Sequence, residues 1–311
     1  PDPLSPLPAA ASHLFPPHYE EAEDAKTALL PTLRRDPQLF GYACSRWKLS
    51  MISETCSWLR TESASGLSQL LRRLGISYKR GREYIHSPDP NYDEKLSLIE
   101  LMRLRTYYAP ERYAFLYLDE LTYYRQPTLA RAYEAAGKRQ PLAQRSHSSN
   151  TRFRVLGALN ALTGQLSYRQ RSRTTTACLS GFWYDLRRDY PDAETIYVVV
   201  DNWPVHFHPD VLAPLQDQNF PFPRTLPANW QAEPSSRAKL DDLPIQLLCL
   251  PTYASWLNPI EKLWRWLKQE VLHMHRNSDS WPDLKERVDH WLAGFSDGST
   301  DLLRYVGLLP Y

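Results

Sequence analysis

The 311-residue sequence has little of several things that define whole classes of protein. It holds only four cysteines (Cys44, Cys56, Cys178, Cys249), far apart and without a C-x-x-C pair, which excludes a disulfide framework or a thiolate zinc site and suits reduced thiols. No run of about 18 uncharged apolar residues occurs, so no membrane span is predicted. The first residues lack a basic segment followed by an apolar one, so no secretory leader is predicted, and a start at Pro1 leads us to expect a missing upstream stretch. There is no internal repeat, no Gly-rich phosphate loop and no Ser-His-Asp pattern. What is present is 42% hydrophobic and 12% aromatic content, which excludes a disordered chain. The length suits two domains in a soluble, cytoplasmic protein.

The net charge is only +2, but its distribution is uneven. From Asp36 to Pro88 there are eight Lys/Arg against four Asp/Glu, and from Lys138 to Arg173 eight Lys/Arg and no acid. A stretch that cationic inside a near-neutral chain reads either as a solvated face or as a surface for a phosphate backbone. Candidate contacts are Arg72, Arg73, Lys79, Arg80, Arg82, Lys138, Arg139, Arg145 and Arg152.

The chain divides into four parts. Residues 1–34, with seven prolines, are expected to be an arm or the remnant of an upstream element, with one modest helical pattern over Tyr19–Leu30. Residues 35–90 predict a helix carrying Ile52, Cys56 and Leu59, a Ser-rich turn, a second helix carrying Leu67, Leu70, Leu71 and Leu74, and a basic extended segment over 77–85. That order suggests a winged helix-turn-helix DNA-binding domain, with an ordinary helical hairpin as the alternative. A connecting helix is predicted over 91–112. Residues 113–311 alternate strands and helices: strands over Tyr113–Leu118, Phe153–Leu159, Gln165–Arg169, Ile196–Val200 and Ile245–Leu250, and helices over Thr174–Tyr190 and from Asn258 onward. This predicts an α/β domain with a mixed sheet flanked by helices.

Three carboxylates stand out. Asp119 and Asp201 each follow an apolar strand, and Glu261 sits in the first turn of a helix opened by Pro259. Acids at neighbouring strand ends can converge on one sheet edge. Hard divalent cations such as Mg²⁺ take oxygen ligands, and two such ions, about 3.5–4 Å apart, can activate a nucleophile and stabilise a leaving oxygen in phosphodiester chemistry. Glu120 points to the opposite face if the strand continues, and so ranks below Asp119 as a ligand. His206 and His208 read as hydrogen-bonding or DNA-contacting groups, Trp264 as core, and Trp256, ahead of the helix, as a group that can touch DNA.

The blocks FLYLDE (115–120), VVVDNWPVH (198–206) and PTYASWLNPIEKLWRWLK (251–268) resemble the three signature blocks of the IS630/Tc1/mariner transposases. RVLGALNALTGQL (154–166) resembles that superfamily's second and third strands, and SGLSQLLRRLGISYKRGREYIHSPDP (65–90) the winged half of its DNA-binding region. The resemblance spans about residues 35–295. It implies an RNase H-like fold, a metal-binding DDE triad of Asp119, Asp201 and Glu261, and two Mg²⁺ ions that Mn²⁺ can replace. Asn202, His206, Asn258, Pro259 and Trp256 become positions that touch the ligands or the DNA. It further implies cut-and-paste transposition of double-stranded DNA with terminal inverted repeats, a TA target, a homodimer in the synaptic complex, and a prokaryotic, nucleoid-associated location. Two rival readings are a catalytically inactive DNA-binding relic and a non-transposing RNase H-fold nuclease. The 59 residues between Asp201 and Glu261 exceed the family's usual interval. The excess falls in 209–244, with seven prolines, and is expected to be a surface insertion without a core pattern.

Overall fold

Aromatic and aliphatic residues dominate YAFLYLDELTYY, and the run forms one long strand, β1 (Tyr113–Tyr124), at the centre of a five-stranded sheet of order β3-β2-β1-β4-β5. The structure is a computed structural model that describes residues 21–61, 63–79, 87–223 and 226–309. It divides into two units, residues 1–84 and 85–311.

In the N-terminal unit, α1 (Ala22–Leu33), α2 (Leu49–Thr55) and α3 (Ala64–Arg73) converge on one cluster. Ala25 and Leu29 of α1 are fully buried there, with Ile52, Cys56, Leu59, Leu67, Leu70 and Leu74. The helical pattern expected over Tyr19–Leu30 is α1, and its two apolar positions four residues apart, Ala25 and Leu29, join the core of this unit. Ser63 caps α3 by accepting from Gly66 N at 3.0 Å, and Gly75 follows it at φ +69°. The basic segment expected to form a wing lies largely outside the described residues, as do Arg80 and Arg82.

The second unit opens with α4 (Tyr92–Tyr108), whose Ile99 packs with Phe115 and Tyr197. β2 (Arg152–Asn160) and β3 (Leu166–Arg171) run antiparallel to β1 and to each other in turn, as a hairpin. After α5 (Thr176–Asp189), β4 (Thr195–Val200) and β5 (Ile245–Cys249) add parallel strands on the other side of β1. Alternation along β1 sends Ala114, Leu116 and Leu118 to the face covered by α5. It sends Leu121 and Tyr123 to the face covered by α7 (Ile260–Leu267), α8 (Trp281–Ala293) and α9 (Thr300–Val306).

Two expectations change. The first strand does not stop at Asp119. Pairing with β2 carries β1 on to Tyr124, whereas the β4 pairing stops at Tyr117–Val199, so Asp119 sits mid-strand where one neighbour has left. The inserted segment, for its part, is not only surface and contributes to the core of the sheet. A short helix, α6 (Pro209–Leu212), buries Val211, and Leu215 and Leu243 join the same cluster as α5. Gln218 donates to Ile245 O (2.7 Å) and accepts from Leu247 N (2.9 Å), so one side chain pairs the free edge of β5 as a strand would. Among the described residues no helix is long and apolar enough to cross a membrane.

Candidate active site

Asp119 and Asp201 each lie two residues beyond Tyr117 and Val199, the last pair in the β1–β4 register. Two parallel strands that separate at this point leave their next odd-numbered side chains level with each other at one sheet edge. Glu261 is brought to the same edge by the first turn of α7. The three acids act on one another. Burial pushes the Asp119 carboxyl up to about 7, and the charges of Glu261, Glu120 and Asp201 add to that rise. Glu261 is likewise raised, by desolvation first and with Asp201 contributing, against the pull of Lys268 and Arg265.

Asp201 behaves differently. Burial works to raise it, but the His206 hydrogen bond and charge, with the N–H of Trp203, hold it below the ordinary value. His206 Nε2 stands 3.1 Å from Asp201 Oδ1 and 3.8 Å from Glu120 Oε1, and the ring is almost fully buried. Glu120 also contributes to this arrangement. It points to the other face of β1, yet its desolvated carboxylate meets the histidine that holds Asp201.

Two of the remaining positions, Asn202 and Asn258, are braces. Asn202 Nδ2 donates to Leu250 O at 2.7 Å and ties the end of β4 to the end of β5. Asn258 Nδ2 donates to Leu118 O at 3.0 Å and ties the approach to α7 to the residue before Asp119. Pro259 caps α7 in a helical conformation, φ −61°. Trp256 is half exposed in the loop ahead of it. His208 accepts from Asp210 N and packs on Trp230, 4.7 Å between ring centres, which makes it part of the inserted segment.

Trp264 is buried, as expected, but it also reaches the acids. Its Nε1–H donates to Asp119 Oδ2 at 2.9 Å. Sequence periodicity places this residue only in the core. The available signal was Gly157 in the middle of β2, since a glycine inside a strand marks a close approach, and here the ring of Trp264 makes it.

Hard oxygen donors, desolvated and mutually repelling, fit a divalent cation in their chemistry. Among the described residues, no three acids, histidines or cysteines stand close enough together, as the side chains lie, to hold a metal ion. The described cations Arg72, Arg73, Lys79, Lys138, Arg139, Arg145 and Arg152 are all exposed, and none is in an ion pair among the described residues. The first three belong to the N-terminal unit and the others to the β1–β2 connection and the start of β2.

A family model described as DDE superfamily endonuclease matches residues 114–285, more than half of the chain. The chain belongs to this family. The match includes all three acids of this DDE endonuclease and the braces around them. A Shigella sonnei protein described as insertion element IS630 uncharacterized 39 kDa protein is 23% identical over 295 residues, covering 94% of this chain and 76% of that protein. Among solved structures, the Mos1 mariner paired-end complex with Mn has a TM-score of 0.60 at 19% identity, covering 95% of this chain and 77% of that one. The Mos1 paired-end complex with left transposon end has a TM-score of 0.58 at 18% identity, covering 92% and 75%. At these identities the structural likeness is one of fold. The insertion-element protein and the Mos1 transposase structures are thus what this DDE endonuclease is similar to, in sequence and in fold respectively.

Proposed function

We propose that this chain is a cut-and-paste DNA transposase that binds the terminal inverted repeats of its element through the N-terminal unit. It cleaves both strands at the ends and joins the 3′-hydroxyls to a TA target. The observation that carries the reading is the pair Asp119 and Asp201, level on parallel strands where the strands part, with Glu261 supplied by α7.

Asp119, Asp201 and Glu261 are the residues that would hold divalent metal, with Mg²⁺ the natural partner of oxygen donors and Mn²⁺ a substitute. Two such ions, when bound, lower the barrier by activating the attacking oxygen and stabilising the leaving one. The chain's own contribution is preorganisation. Trp264 fixes one oxygen of Asp119, His206 and Trp203 N–H fix one of Asp201, and Asn202 and Asn258 hold the loops that meet at the edge. Exposed Arg72, Arg73 and Lys79 suit the phosphates of an end-bound duplex, and Lys138, Arg139, Arg145 and Arg152 those of DNA along the β1–β2 connection. That connection, which holds exposed Leu129, Tyr133 and Leu142, fits a contact with a second subunit in a synaptic dimer. Both Mos1 complexes are described as paired-end, and one as holding a left transposon end, which supports DNA as the partner. An RNase H-like catalytic domain acting on the nucleoid in a prokaryotic cytoplasm accords with this reading.

The test is cleavage of DNA carrying the element's own genomic flanks, in Mg²⁺ or Mn²⁺, by wild type and Asp201→Asn side by side. Cuts at the repeat ends that need metal and vanish in the variant are expected. Tight binding without cuts would make the protein a DNA-binding relic. Cuts without preference for the ends would make it a non-transposing nuclease.

A further inference from the structure

The loop from β5 to α7 carries two exposed aromatic side chains, Tyr253 and Trp256, and leads directly into Glu261. It is anchored at both ends by braces of the acids, Asn202 on Leu250 O and Asn258 on Leu118 O. A third anchor, between them, comes from elsewhere. Thr252 N donates to Asp89 Oδ2 at 2.7 Å, and Thr252 O accepts from Ser87 Oγ at 2.6 Å. Side chains 163 and 165 positions away thus grip both backbone groups of one loop residue.

The grip is itself rigid. Asp89 Oδ2 also meets Lys95 Nζ at 2.7 Å, with the two side chains only 3% and 6% exposed, and Asp89 Oδ1 accepts from Asn91 N at 3.0 Å. Burial alone would raise the Asp89 carboxyl, but Lys95 and the N–H groups of Thr252 and Asn91 bring it down to about 2. Lys95 Nζ also lies 5.7 Å from the ring of Phe222 in the inserted segment. A buried ion pair contributes little net stability compared with apolar packing, so its presence here calls for another role.

The residue after Thr252 shows what the grip does. Tyr253 has φ +55°, a left-handed conformation that a bulky side chain holds only when its surroundings impose it, and 72% of the residue is exposed. With Thr252 fixed on both sides, the chain is turned at Tyr253 so that the aromatic groups face outward before α7 begins.

We infer that Ser87, Asp89 and Lys95 form a clasp that positions the 250–258 loop, and through it the start of α7 with Glu261, for DNA at the acidic edge. These are positioning residues, and the inference rests on the function proposed above. Ser87 and Asp89 fall within the first five residues of the catalytic unit, so the chain arriving from the N-terminal unit enters the catalytic unit through the clasp.

Ser87→Ala removes one grip with little disturbance, and Asp89→Asn removes the charge while keeping the shape. Both variants are made in the full chain. Amide exchange in EDTA, without DNA, reads the loop independently of activity, and metal-dependent cleavage gives turnover and KM. The clasp predicts faster exchange confined to 250–258 and turnover lower by about tenfold, with KM for the DNA ends within about twofold, since misplacement alone can cost that much. Exchange rising throughout the unit, or a loosened loop with turnover unchanged, would overturn it. Should wild type cut nothing in metal, the proposed function falls instead. The clasp then stands or falls on whether loosening stays local to the loop.

Discussion

Gly157 stands opposite Asp119 in the β1–β2 register, and the space where its side chain would be is taken by the ring of Trp264, which donates to that same aspartate. A Cβ built on Gly157 would lie 2.6 Å from Cη2 of the indole, closer than atoms can pack. The glycine is what lets the ring lie across β2 and reach the first acid.

Two substitutions separate the parts of this relationship. Gly157→Ala should displace the buried ring, lower stability by about 1–3 kcal/mol and weaken cleavage as well. Trp264→Phe keeps most of the packing and removes only the N–H, a hydrogen bond to a charged group worth about 1.5–3 kcal/mol. Cleavage should fall by roughly tenfold or more on that energy, with DNA binding retained. Thermal melts, gel-shift titrations and cleavage rates on both variants check this. A Trp264→Phe protein that cuts like wild type would leave the indole as packing only.

The acidic edge should oppose folding when no metal balances it. A carboxyl raised from 3.8 to about 7 stays protonated in the folded state while the unfolded chain has already lost its proton. Between those values the folded state binds more protons, so stability falls as pH rises, and it levels off above about 7. A shift of that size corresponds to at most about 4 kcal/mol. In EDTA the melting temperature of wild type should therefore drop from pH 5 to pH 8. Asp119→Asn should flatten the drop, and Mn²⁺ should restore wild type most at pH 8. A parallel slope in the two proteins would remove Asp119 as the cause.

Much of this was legible in the sequence because the relevant signals are local. Apolar runs marked four of the five strands, and the turn Leu162-Thr163-Gly164 marked β3. The position of Asp119 within β1 was not legible, because a strand that loses one neighbour and keeps another reads like a strand that ends. Nor was the share of the core that comes from the inserted segment, whose Val211, Leu215 and Leu243 are spread among prolines and share no period. The grip of Asp89 on Thr252 spans 163 positions and leaves no local pattern at all.

Gln218 offers a test of that insertion. Its amide satisfies Ile245 O and Leu247 N on the outer side of β5, which would otherwise be an open edge. Gln218→Ala should destabilise the chain by about 1–3 kcal/mol, the cost of leaving such groups without partners. It should also speed exchange of the Leu247 amide beyond that of β4. Denaturant midpoints and residue-level exchange would settle it, and an unchanged Leu247 would mean that another group covers the edge.

The basic β1–β2 connection can be read through salt. Its base is held by hydrogen bonds: the Gln126 side chain donates to Ser146 O and Ser148 O and accepts from Ser146 N, and its backbone N–H donates to Asn150 Oδ1. Arg125 donates to Ser278 O and Asp279 O, so the two ends of the connection are held together and against the turn before α8. Lys138, Arg139 and Arg145 are therefore carried on a segment whose ends are hydrogen-bonded in place, while their own side chains lie exposed to solvent. If all three neutralise phosphates, replacing them together by alanine should lower the slope of log affinity against log salt by about 3, with each released counterion contributing about 0.9. The melting temperature should not change, because exposed, unpaired lysine and arginine contribute little to stability. Binding titrations of end DNA at several salt concentrations measure that slope directly. An unchanged slope alongside intact folding would assign the basic run to a solvated face and leave DNA contact to Arg72, Arg73 and Lys79 in the N-terminal unit.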